Sequence, residues 1–115
     1  MRLRILVAIT PRMYREAIAG YLLQQRPGYE VRSAAPADAE EEVILFAPHL
    51  LVHDDTAGVD PRVLEGIQSL VEMLYSDSMG ARISVDGRVE ESQDISTEVL
   101  LRVADDASTS LSCGH

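Results

Sequence analysis

The chain has 115 residues, 10 Arg+Lys against 19 Asp+Glu for a formal net charge of -9, and 46% hydrophobic residues. A domain of this size buries about 65% of the surface its unfolded chain exposes, enough to fold without disulfides or a structural metal, and leaves no room for a second domain. The single Cys113 excludes internal disulfides and thiolate zinc sites, no apolar run approaches the roughly 18 residues that span a bilayer, and the charged start MRLRILV has no cleavable apolar segment behind it, so a cytoplasmic location is expected.

Residues 3–9, LRILVAI, are a near-continuous run of β-forming residues, the pattern of a strand covered on both faces. Thr10 as N-cap and Pro11 at the first helical position open a helix over 11–25, with Tyr14, Ala17, Ile18, Tyr21 and Leu22 recurring on its inner face. Pro27-Gly28 ends it, and YEVRSA (29–34) alternates as a short strand. A second helix is expected over 36–46, with Ala39, Val43, Phe46 and Ala47 on one side and acidic residues in its early turns, where the helix dipole favours them. After Pro48, HLLVH (49–53) is a second buried-type strand that ends on Asp54-Asp55. Alternating strands and helices with connections this short imply right-handed parallel βαβ units.

Residues 61–75 admit two readings, one long helix or a short helix followed by a fourth strand, and Gly66 with the run LVEMLYS favours the second. ARISVD (81–86) alternates as a fifth strand. Only Asp77 to Gly80 lie between these strands, too few for a parallel crossover, so residues 81–86 are expected to return antiparallel as a hairpin. GRVEESQ reads as a polar loop, and a final helix runs from Asp94 or Ser96 to about Ala104 with Ile95, Val99, Leu100 and Val103 inward. The domain is therefore expected over 1–105, with 106–115, DASTSLSCGH, as a flexible tail.

In this order, RILVAITPRMYREAIAGYLLQQRPGYEV resembles the first strand, helix and second strand of the receiver domain of two-component response regulators. APHLLVHDDTAG resembles its third strand, terminal aspartate and following loop, and MLYSD its fourth strand with a terminal hydroxyl residue. The likeness extends over residues 3–103 in topology and is most specific over 3–58. It implies an α/β, flavodoxin-like three-layer sandwich with parallel strands in the order 2-1-3-4. The short connection adds an antiparallel fifth strand and removes the fourth helix.

The resemblance places Asp54 at the phosphoacceptor position and Ser76 at the hydroxyl position. In that chemistry an aspartate attacks a phosphoryl donor in line, and Mg²⁺ and a lysine neutralise the charge that gathers. The metal-binding acidic pair falls here on two of Ala8, Ile9 and Thr10, none of which can hold a divalent cation, and the chain contains no lysine at all. The resemblance therefore implies the scaffold without its phosphorylation mechanism. Asp54 has a plainer reading as a strand-end carboxylate that caps a loop or meets solvent, and Ser76 as a turn residue.

His49 and His53 are four apart on a strand, about 13 Å along one face and too far for one ion. No phosphate-binding glycine loop or GxSxG element occurs. No catalytic residue, metal or cofactor is expected. Residues 1–35 hold six arginines against Glu16 and Glu30, a surplus of four, so the remainder carries 13 net negative charges and repels a nucleic-acid backbone. The leading expectation is a non-catalytic pseudo-receiver that acts through protein contacts in bacterial signal transduction or transcriptional control. A receiver phosphorylated on Asp54 by an atypical route and a small α/β ligand-binding module are the alternatives. A missing helix uncovers one sheet face, so a protein partner or a homodimer is expected there, on Met73, Tyr75, Ile83 and Val85 with Arg82 and Arg88 at the rim. A tilted third helix or the final helix could instead cover the gap within one monomer.

Overall fold

The computed structural model describes residues 2–10, 12–54, 60–74, 80–85, 88–92 and 96–113, with backbone alone at Leu74 and 111–113. β1 (Arg4–Ala8), α1 (Arg12–Gln25), β2 (Glu30–Ser33), a 3₁₀ turn (Pro36–Asp38), α2 (Ala39–Phe46) and β3 (Leu50–Asp54) follow the expected order. α3 is a single turn (Pro61–Leu64), followed by β4 (Ser69–Leu74), β5 (Gly80–Val85), β6 (Arg88–Ser92) and α4 (Thr97–Cys113). Together the strands form one sheet in the order β2-β1-β3-β4-β5-β6. β2, β1, β3 and β4 are parallel, whereas β5 pairs antiparallel with β4 and β6 antiparallel with β5. The helix-then-strand reading of 61–75 and the antiparallel return are thus both present.

Two helical layers cover the sheet. On one side Ile18 and Leu22 of α1 and Leu100, Val103, Ala104 and Ala107 of α4 pack on Ile5, Val7, Val52, Val71, Met73 and Ile83. On the other, Ala39 and Val43 of α2 and Ile67 pack on Leu6, Ala8 and Leu51, with Val63 and Leu64 of α3 against them. β1 reads as an unbroken apolar run because both its faces are covered. Ala17 and Ala47, expected inward, are exposed. Ala47 instead ends α2 in the left-handed region at φ 51, its N–H donating to the Val43 carbonyl at 3.0 Å.

Three expectations need correction. GRVEESQ is not a loop throughout, since residues 88–92 form β6, paired Val85↔Arg88 through Ala81↔Ser92. The two residues between Val85 and Arg88 are Asp86-Gly87, a dipeptide that signals a hairpin in sequence. α4 does not stop near Ala104, and a tail does not begin at 106: the helix runs to Cys113, with Ala107 buried to 1% in the core and Thr109 Oγ1 donating to the Asp105 carbonyl at 3.0 Å.

The third correction concerns the uncovered face. Met73, Ile83 and Val85 are buried within the monomer, on the side where α4 lies. The final helix covers those side chains within the monomer, leaving Ile83 and Val85 only as part of the lining of a groove beside β6. The face on the α2 side, beyond the reach of the one-turn α3, carries Glu72, Arg82, Ser84, Val89 and Glu91 along the paired strands. Four of these five side chains are polar and can meet water directly, and Val89 is the apolar exception at 64% exposure.

Candidate functional site

The carboxyl ends of the parallel strands are where open α/β sheets place their chemistry. Asp54 closes β3 there and is 1% exposed. The parallel register sets Ala8 level with His53, which brings the residues after β1 beside Asp54. Thr10 uses this proximity twice, its backbone N–H donating to Asp54 Oδ2 at 2.9 Å and its hydroxyl donating to the same oxygen at 3.0 Å. A buried carboxylate is costly unless its oxygens find donors, and Thr10 supplies two. Asp54 is therefore a sequestered joint between β3 and the start of α1 rather than a solvent-facing carboxylate.

Ala8 and Ile9 are fully buried, so the positions matching a receiver's acidic pair present apolar side chains with no ligand for a divalent cation. Among the described residues no group of three or more metal-binding side chains converges. A cation reaches this end on the α1 side in Arg15, whose Nη1 donates to the Ile9 carbonyl at 3.4 Å. Its Nε is buried without a hydrogen-bond partner among the described residues. Arg82, the substitute cation the sequence suggests, is committed to Glu72 at 3.2 Å.

The other expected positions scatter. Ser76 and Tyr75 lie outside the described residues. Met73 sits beneath α4, and Arg82 points to the opposite, open face. Ile83, Val85 and Arg88 line a groove of about 650 Å³ between β6 and α4, closed on its helix side by Val103 and bridged at the rim by Arg102 Nη2 to Glu90 Oε1 at 3.0 Å.

The histidines are separate. His53, 5% exposed, lies in a row that crosses the sheet as Ala8, His53, Glu72, Arg82 and Glu91. Burial pushes its pKa below the ordinary histidine value, against the opposing pull of Glu72 and Asp54. His49 lies at the far end of β3 and accepts the Arg4 backbone N–H on Nδ1 at 3.0 Å. Burial and then the Arg4 charge lower its pKa.

Sequence reasoning missed the Thr10–Asp54 joint because it depends on the β1–β3 register, and it missed Arg15, whose contact with the Ile9 carbonyl is local to the turn from β1 into α1. The signal available was the short link from the first strand to its helix, which confines Thr10 to the strand's mouth. Comparison of the chain with protein-family models, characterised proteins and solved structures finds no match. What stands is a class defined by architecture: an open α/β sheet with four parallel strands, an antiparallel hairpin at one edge and a sequestered aspartate at the carboxyl end. No helix among the described residues is long and apolar enough to cross a membrane.

Proposed function

We propose that this is a non-catalytic regulatory domain on a flavodoxin-like, receiver-like scaffold, working in the cytoplasm through protein contacts. The observation that carries this reading is the engagement of Asp54 by Thr10 in a buried setting. An in-line attack on a phosphoryl group needs a carboxylate oxygen free to approach phosphorus and cations to absorb the charge. Here Asp54 is 1% exposed with Oδ2 held by two donors, the positions matching the acidic pair include Ala8 and Ile9, and there is no lysine. Among the described residues the strand ends hold no phosphoryl-transfer set, which supports an output carried by the protein's surface. The open face of Glu72, Arg82 and Ser84 offers alternating charge suited to a partner of matched polarity rather than to an apolar one.

Incubation with acetyl phosphate and Mg²⁺, read by intact mass, is expected to give no adduct of about 80 Da, the mass of a phosphoryl group. A stoichiometric adduct that disappears in Asp54→Ala refutes this reading and establishes a receiver phosphorylated by an atypical route.

A further inference from the structure

Among the described residues β6 ends the sheet, and Arg88, Val89, Glu90 and Glu91 are exposed along it. An edge strand of this kind presents unpaired N–H and C=O groups to any second strand. Its register fixes which groups those are. Val85 and Arg88 flank a two-residue connection and so form the hydrogen-bonded closing pair of the hairpin; Arg88, Glu90 and Ser92 then turn their backbone groups toward β5, and Val89 and Glu91 turn theirs outward. The pairing Val85↔Arg88 and Ile83↔Glu90 also puts Arg88 and Glu90 on the α4 side and Val89 on the open side, where it is 64% exposed.

We propose that β6 pairs antiparallel with β6 of a second copy of this chain, about a two-fold axis through Val89, to make one continuous twelve-stranded sheet. A two-fold perpendicular to the sheet keeps each face on its own side, so only residues of like facing meet. Centred on Val89, the pairing sets Arg88 opposite Glu90 of the second copy and Glu90 opposite the second Arg88, with Val89 against Val89 through outward backbone groups. Both charge pairs then sit at non-hydrogen-bonded positions, where cross-strand side chains lie closest. Every neighbouring register fails on charge. Centring on Arg88, Glu90 or Glu91 apposes two arginines or two glutamates.

The other sheet edge, β2, carries the similar triplet Glu30-Val31-Arg32, but its charges are spent within the monomer. Glu30 pairs with Arg2 at 3.4 Å, Arg32 pairs with Glu42 at 3.2 Å and lies 4.7 Å over the Phe46 ring, and Val31 packs on the core. At β6 Glu90 also has a partner within the monomer, Arg102 at 3.0 Å, but among the described residues Arg88 makes no ion pair and Val89 is 64% exposed where Val31 is packed, which makes β6 the edge open to a second copy. This inference does not depend on the regulatory reading above.

A five-residue edge makes a small interface, so the association is expected to be weak and is followed by sedimentation velocity from about 10 µM to about 1 mM. Arg88→Glu and Glu90→Arg each turn both cross pairs repulsive, and each alone is expected to weaken self-association about tenfold or more. Mixed together, the two variants restore opposite charges at both pairs, and a heterodimer of near wild-type strength is expected. Amide exchange on the unaltered chain is the second measurement, with the Val89 and Glu91 N–H groups gaining protection as concentration rises. A wild-type chain that stays monomeric through this range overturns the proposal. So does a dimer indifferent to both substitutions, or amides at 89 and 91 that exchange at a concentration-independent rate.

Discussion

Arg26 grips Asp105 across 79 residues of sequence with two parallel hydrogen bonds, Nε to Oδ1 at 3.0 Å and Nη2 to Oδ2 at 2.8 Å, and the Tyr29 hydroxyl donates to Oδ1 at 2.7 Å. The cluster fastens the end of α1 and the entry to β2 onto α4. Burial alone raises the Asp105 pKa, but the Arg26 and Tyr29 hydrogen bonds and the Arg26 charge outweigh it and hold the carboxyl below its usual range. A depressed carboxyl contributes stability that is present above its unfolded value of about 3.9 and is lost as pH falls through its folded one. Tyr29→Phe is expected to cost about 1 kcal/mol at neutral pH in urea titration, the worth of one partly exposed hydrogen bond. Asp105→Asn is expected to be less stable at pH 7 and to show a smaller further loss on acidification than the wild type.

Thr10 anchors the buried Asp54 carboxylate through its side chain as well as its backbone. Thr10→Val keeps the shape and the backbone donor but removes the hydroxyl, and is expected to destabilise by about 1–2 kcal/mol, because the acceptor is left partly unsatisfied in a buried site. Thr10→Ser retains the donor and is expected to lose less than half of that. Equal losses in the two variants, measured by chemical denaturation, would count against the hydroxyl bond.

His53 is held neutral by burial, with a pKa below the unfolded value of about 6.5. The unfolded chain binds the proton more readily, so stability falls as pH drops from about 6.5 toward the folded value, with a slope of up to about 1.4 kcal/mol per pH unit for one such group. His53→Gln is expected to flatten this dependence between neutral pH and pH 5 without abolishing it, because His49 is shifted in the same direction. Denaturation midpoints across that range measure the slope directly.

Ala47 adopts φ 51 at the end of α2, where its Cβ crowds the following carbonyl at a cost of about 1–2 kcal/mol. Glycine removes that cost and returns part of it as added freedom in the unfolded chain. Ala47→Gly is expected to stabilise the protein by up to about 1 kcal/mol, read as a higher thermal midpoint with an unchanged circular-dichroism spectrum.

The parallel core was legible in the sequence because each of its elements carries its own signal. LRILVAI and HLLVH are apolar enough to be covered on both faces, Pro11 and Pro27-Gly28 bracket α1, and the few residues between β4 and β5 leave no length for a parallel crossover. β6 was not legible by alternation, since Arg88, Val89, Glu90 and Glu91 are exposed on both faces of an edge strand, and only Asp86-Gly87 hinted at it. The reach of α4 was hidden by its small polar residues, which follow the helix because Ala107 is buried and Arg26 and Tyr29 hold Asp105. Periodicity alone determined that Met73 and Glu72 point to opposite faces of β4. Only tertiary structure decided that α4 lies over Met73 while Glu72 meets Arg82 in the open, and that Asp54 turns inward to Thr10, because cover and hydrogen-bond partners come from segments distant in sequence, to which no local pattern refers.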